Sequence, residues 1–255
     1  PVAGMANLPL CFSGLTHPGL VRQRNEDAYY LDPQGRFFMV ADGMGGYAGG
    51  ERASQIVVSL LSLYLDTYWE QGPSIPELIQ QAVKRANAHL LAEQAAQPTL
   101  ADMGTTLVLL CCGQGHQAWF CHVGDSRLYR WRHNQLEQLT QDHTWVAQAI
   151  AAGALSPAQA RTHPWRHLLT QCLGREDLQP VVVQDLTLEP GDCYLLCSDG
   201  LTEEVFDWEI AAILRRQCSP EWTVRALIDA ACQRGGRDNI TAVVVQVPVS
   251  EATPG

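Results

Sequence analysis

The sequence predicts an α+β fold, with sheets packed together and helices outside them. Three observations carry this. Residues 51–71 and 75–97 hold apolar residues at three-to-four spacing, with no Gly or Pro beyond the first turn, the mark of long amphipathic helices. Short β-branched and aromatic runs dominate elsewhere, each about the length of one strand. No internal repeat, low-complexity tract or linker divides the 255 residues.

"FFMVA" from residue 37 is the first predicted strand, a continuous apolar run that suits burial. The two long helices follow it. "TTLVLLCC" from 105, "QAWFCHVG" from 117 and "RLYRWR" from 127 are further strands. Over 144–171 the strand signal stops, and short helical pieces broken by Gly153, Pro157 and Pro164 predict an insertion over the sheet edge. "VVVQDL" from 181 and "CYLLCS" from 193 resume the strands. Helical stretches at 207–217 and 219–233 precede the last strand, "TAVVVQVP" from 241. This organisation predicts one domain over 8–248 with loose ends at 1–7 and 249–255. A start at Pro rather than Met suggests a piece of a longer chain.

With 46% hydrophobic and 17% charged residues the chain can bury a large core. No apolar run reaches the roughly 18 residues that span a bilayer, and no leader pattern opens the sequence. Nine cysteines, an odd number without paired CxxC spacing, predict buried free thiols and a reducing, cytoplasmic setting. The net charge of −10 argues against nucleic-acid or anionic-membrane partners. Nothing demands more than a monomer.

Four acids fall where a strand meets a loop: Asp42 after "FFMVA", Asp125 after "WFCHVG", Asp199 after "CYLLCS" and Asp238 before "NITAVVVQV". If the strands are neighbours, the carboxylates converge, and two of them about 4 Å apart repel by about 4 kcal/mol at an effective dielectric of 20. Such a cluster requires cations or protons. With no Cys/His pairing nearby, all-oxygen ligands suit Mg2+ or Mn2+. Gly43 can then offer its carbonyl, and Gly45, Gly46, Gly49 and Gly50 can leave room for a bulky substrate. Each acid also has a plain reading: Asp-Gly at 42 and 199 as a hairpin turn, Asp238-Asn239 as a pre-strand turn, and Asp125-Ser126 as a tight connection.

The ordered set "RQRNEDA" (22–28), "VADGMGG" (40–46), "GTTLV" (104–108), "HVGDSRLYR" (122–130), "LTQDHT" (139–144), "LTQCLG" (169–174), "LCSDGLTEE" (196–204) and "GGRDNIT" (235–241) closely resembles the metal-dependent protein serine/threonine phosphatases of type 2C, in their bacterial form. The resemblance covers about residues 10–247. It implies a four-layer α-β-β-α sandwich of two antiparallel sheets, with 144–171 as the flap. The implied activity is hydrolysis of phosphoserine or phosphothreonine in proteins, by a hydroxide bridging two Mg2+ or Mn2+ ions.

The resemblance assigns Asp42 as the carboxylate shared by both ions, the Gly43 carbonyl, Asp199 and Asp238 as further ligands, and Glu26 and Asp27 as ligands through water. Asp125, with Asp199, matches a third, weaker ion site. Arg22 matches the residue that grips the substrate phosphate, which suits its charged fork; a surface salt bridge is its plain alternative. Asn239 either orients Asp238 or a water, or simply forms a turn. Met44 stands where many eukaryotic members carry a proton-donating His, so a water or His163 would have to serve. In the flap, Arg161, Trp165 and Arg166 could touch the phosphoprotein or merely form a solvated helix pair.

Two rivals compete. "CHVGDSR" fits Cys-x-x-Gly-x-x-Arg, which would make Cys121 a nucleophile and Arg127 its phosphate clamp. That cradle must open into a helix, yet Arg127 runs into a strand pattern, and Asp125 would repel the phosphate. A non-catalytic phosphatase-fold binding module is the second rival; loss of the acids would favour it, and all four are present.

Overall fold

The structure is a computed structural model that describes residues 9–45 and 49–249. Apart from Val249, the expected loose ends lie outside the described residues, as does Gly46. Strands β1 (Cys11–His17), β2 (Asp27–Leu31) and β3 (Phe37–Met44) lead into helices α1 (Gly49–Tyr68) and α2 (Ile75–Ala96). Then come β4 (Gly104–Thr105), β5 (Leu107–Cys112), β6 (Gln117–Val123), β7 (Arg127–Arg132) and β8 (Gln135–Gln138). Helices α3 (Trp145–Ala151) and α4 (Pro157–Arg161) precede β9 (Gln184–Thr187) and β10 (Cys193–Cys197). Helices α5 (Asp199–Thr202), α6 (Asp207–Leu214) and α7 (Pro220–Gln233) lead to β11 (Ile240–Gln246).

The strands form two sheets, ordered β1-β11-β10-β7-β8 and β2-β3-β5-β6-β9, with β4 paired to β3. Every named pairing is antiparallel. Strand alternation divides the apolar residues among three layers. Phe37, Met39 and Ala41 of β3 pack under α1 and α2, while Phe38 and Val40 face the other sheet. On β11, Val243 and Val245 join the inter-sheet core, while Ala242 and Val244 meet α7. The result is the expected α-β-β-α sandwich.

Several sequence expectations shift. Strand β3 runs on through Asp42 and Gly43 to Met44, so Asp42 lies within a strand rather than after it. "TTLVLLCC" splits at Thr106, whose N–H bonds the Asp42 carbonyl instead of continuing a ladder. "VVVQDL" enters its sheet only from Gln184. Strands β1, β2 and β8 were not predicted; their polar and half-buried composition hides the period. The 144–171 segment does carry two short helices. It is clipped at its base by an isolated bridge between Thr144 and Leu169 and by bonds from Trp145 N to Leu168 O and Thr170 N to His143 O.

Candidate metal centre

Asp27 of β2 and Asp42 of β3 are direct partners across the strand pair. Their neighbours two residues along, Tyr29 and Val40, pack in the inter-sheet core, so alternation turns both acids toward the gap between the sheets. The Asp42 backbone is fixed by Thr106: its N–H donates to Thr106 Oγ1 at 2.9 Å, and its carbonyl accepts from Thr106 N and Thr105 Oγ1, both at 2.8 Å. Thr106 Oγ1 lies 2.6 Å from Ser126 Oγ, which ties in the loop carrying Asp125. Asp199 opens α5 with one residue, Ser198, between it and the end of β10, and Asp238 lies two residues before β11 begins.

These carboxylates act on one another. Burial pushes the Asp42 carboxyl well above the usual range, and Asp27, Asp199, Asp125 and Asp238 push it further, in that order. Asp125 is raised by burial, then by Asp199 and Asp142. Asp27 is raised to about 7, chiefly by burial and against the Thr241 and Ser198 hydroxyls that donate to it. Asp27 Oδ1 is buried without a hydrogen-bond partner. A converging all-oxygen set with an orphaned carboxylate oxygen fits hard divalent cations.

Arg22 stands at the lip, half exposed, with Nη2 at 2.7 Å from Asp238 Oδ2; that contact, and secondarily Glu26 and Asp199, raises its pKa. The Glu26 pKa is raised chiefly by burial. All eight residues assigned to the site thus gather at one end of the sandwich. Two assignments change. Asn239 does not orient Asp238 with its side chain: Oδ1 accepts from Glu26 N at 2.8 Å, and Nδ2 donates to the carbonyls of Pro18 and Arg24. Gly49 and Gly50 do not clear space for substrate, since both are buried at the start of α1. A Cβ on Gly50 would meet the Glu26 carboxyl at 2.8 Å, and one on Gly43 would meet the Gly50 carbonyl at 2.0 Å. These glycines let the helix end press onto β3.

Sequence reasoning missed His167 and Glu203. His167 Nδ1 lies 2.9 Å from Glu203 Oε1 and 3.9 Å from Asp199 Oδ2, and donor atoms of the three gather closely enough to hold an ion. Asp199 and Glu203 together raise the imidazole pKa against burial; Glu203 makes the closer contact. The i, i+4 spacing of Asp199 and Glu203 was the available signal. His163 does not reach the acids: it stacks on Trp145 at 4.9 Å, and its Nδ1 accepts from Trp165 N. Met44 sits beside Gly104 at the end of β3. A cleft of about 540 Å³ runs from Asp125 and Asp199 between the core and the flap, past Glu203, Arg161 and Arg166. Arg161 covers the Phe206 ring and Trp165 is 55% exposed.

The cysteine rival fails on geometry. Cys121 is fully buried in the core beneath α1 and α2, and burial pushes its thiol up to about 12. Arg127 is engaged by both oxygens of Asp142 and by Tyr129 Oη.

The family described as Protein phosphatase 2C matches residues 21–230. The chain is 37% identical to the serine/threonine protein phosphatase PstP of Mycobacterium tuberculosis over 240 residues, 94% of this chain but 45% of that relative. It therefore spans about half the length of that curated relative. It is 34% identical to the protein phosphatase PhpP of Streptococcus pneumoniae over 244 residues, 93% of this chain and 98% of PhpP. Among solved structures, the catalytic domain of PstP in complex with two manganese ions superposes with a TM-score of 0.85 at 35% identity, covering 94% of this chain and 98% of that one.

Proposed function

The chain belongs to the protein phosphatase 2C family in its bacterial form, and from that premise we propose that it hydrolyses phosphoserine and phosphothreonine in proteins with divalent-metal help. The mutual repulsion by which Asp27, Asp199, Asp125 and Asp238 act on the Asp42 carboxyl carries this reading. Bound there, Mn2+ or Mg2+ would acidify an attacking water and neutralise charge on the phosphoryl oxygens. Asp42, Asp199, Asp238 and the Gly43 carbonyl would hold two ions, and Glu26 and Asp27 would hold the water around them. Arg22, half exposed at the lip beside Asp238, would orient the phosphate through paired N–H donors.

A weaker third cation would sit toward the flap, held by Asp199 with Asp125 or with His167 and Glu203. The imidazole makes the latter set a better match for Mn2+ than for Mg2+. Nine free cysteines, six of them buried, support a reducing cytoplasm. Among the described residues no helix is long and apolar enough to cross a membrane. The net charge of −10 supports phosphoproteins rather than nucleic acid as partners. We take the working unit to be a monomer.

Hydrolysis of an aryl phosphate and a phosphoserine peptide, with Mn2+ and with EDTA, tests the reading beside Asp42→Ala. Turnover that needs Mn2+ and disappears in the folded variant is the expected result. Metal-independent turnover, or a near wild-type rate for Asp42→Ala, would overturn it, and no turnover in any condition would favour the binding-module alternative.

A further inference from the structure

Asp27 begins β2 in one sheet, yet one oxygen of its carboxylate is held from the other. Oδ2 accepts from Thr241 Oγ1 at 2.6 Å and from Ser198 Oγ at 2.7 Å. Thr241 lies on β11, and Ser198 sits between β10 and α5. Both positions are two residues beyond inter-sheet core residues, Val243 and Leu196. They therefore face the gap that Asp27 and Asp42 enter. The two hydroxyl residues also lock each other: Thr241 N donates to Ser198 Oγ at 3.0 Å, and Ser198 N donates to the Thr241 carbonyl at 3.1 Å.

The hydrogen bonds run in one direction. A hydroxyl has one proton, and Thr241 spends its proton on Asp27. Thr16 Oγ1, 2.7 Å away across the β1–β11 pair, must then donate to Thr241. Thr16 in turn accepts from Asn25 Nδ2 at 2.8 Å, and Asn25 Oδ1 accepts from Asp27 N at 3.2 Å, closing the ring on the residue where it ends. Every proton points toward Oδ2, while Oδ1 has no partner.

We propose that Thr241 and Ser198, backed by Thr16 and Asn25, are positioning residues that saturate Asp27 Oδ2 and so present Oδ1 to the water around the cations beside Asp42. This rests on the metal-dependent reading above. Without the clamp, the Asp27 side chain is free to rotate, or Oδ2 competes for the site, and the water around the cations loses a fixed acceptor. Groups that orient a metal site from behind typically contribute about 10–100-fold in affinity.

Mn2+ binding to the metal-free chain, measured by calorimetry, tests this without reference to turnover. Thr241→Val keeps the shape and removes the hydroxyl; Thr241→Ser keeps the hydroxyl. The expected result is Mn2+ binding at least about tenfold weaker in Thr241→Val and within about twofold of wild type in Thr241→Ser. Thr16→Val, which removes the donor to Thr241 together with the acceptor of Asn25 Nδ2, should give a smaller loss in the same direction and serves if Thr241→Val does not fold. Wild-type Mn2+ affinity in the folded valine variants would overturn the proposal, as would equal losses in Thr241→Val and Thr241→Ser. Asp42→Ala in the same titration separates the two readings. If it binds Mn2+ like wild type, the metal centre itself is misplaced; if it alone loses Mn2+, only the clamp fails.

Discussion

The two ends of β2 carry two buried aspartates treated in opposite ways. Asp32, just past the strand, is 1% exposed and meets Arg36 through Nε at 2.8 Å, Nη2 at 2.7 Å and the backbone N–H at 3.0 Å. Burial would raise its pKa, but the Arg36 bonds outweigh it and hold the carboxyl below its ordinary value. Asp27, 8% exposed, meets only hydroxyls and other acids, and is raised to about 7. One acid carries its counter-ion within the chain; the other meets no cationic side chain among the described residues. Burial alone therefore marks neither structure nor function, and the presence or lack of a cationic side chain is what distinguishes the two ends.

The largest effects should separate the two ends by kind. Asp42→Ala removes the shared point of the acidic cluster, where cations supply several kcal/mol of transition-state stabilisation, so Mn2+-dependent turnover should fall by about a thousandfold or more. Asp32→Ala leaves Arg36 buried with only the exposed Asp66 as its partner, a loss of up to about 3–5 kcal/mol in stability. Its melting temperature should drop while turnover per folded molecule stays near wild type. Melting curves and rates on the same samples check this; lost turnover in well-folded Asp32→Ala would erase the distinction.

Titration sharpens the contrast. For Asp32 the folded pKa lies below the unfolded value, so its contribution is present above about pH 4 and lost as pH falls through the folded pKa. For Asp27 the folded pKa lies above the unfolded value, so the metal-free protein binds more protons folded than unfolded between about pH 4 and 7. That contribution is present below about pH 4 and is lost as pH rises through about 7. Asp27→Asn, a mimic of the protonated acid, should leave the metal-free melting temperature unchanged at low pH. At pH 8 it should make the metal-free protein more stable than wild type, by an order of a few kcal/mol. Saturating Mn2+ should reverse that ranking. A variant less stable than wild type at pH 8 in EDTA would show that Asp27 has a counter-charge within the chain.

Much of this was legible in the sequence, for particular reasons. Asp42 and Asp199 are flanked by apolar runs, so their strands and their places at one end could be read from the pattern. The alternation that places Phe38 and Val40 between the sheets also aims Asp42 there. Strands β1 and β2 were not legible, because "CFSGLTH" and "DAYYL" mix polar and half-buried residues; without β2 the pairing of Asp27 with Asp42 could not be seen. Gly49 and Gly50 were misread because a glycine that admits a neighbouring backbone looks, in sequence, like one that admits a ligand. Asn239 was misread because its partners, Pro18, Arg24 and Glu26, are more than 200 residues away in the chain.

His167 tests the comparison at its weakest point, because its acids are only partly countered. Asp199 and Glu203 present carboxylates one helical turn apart, and the flap supplies the imidazole between them. If His167 is only a counter-charge, like Arg36, removing it should leave cation binding unchanged or strengthen it, since two acids would then lack a partner. If it is a ligand, His167→Ala should weaken the weakest of the Mn2+ sites by about tenfold while the tight pair is kept. Mg2+ binding should change little, because imidazole nitrogen is a poor ligand for that ion. Calorimetric titration of wild type and variant with each cation decides between them. Parallel losses for Mn2+ and Mg2+, or loss of the tight pair, would show His167 supporting the fold of the site rather than holding an ion.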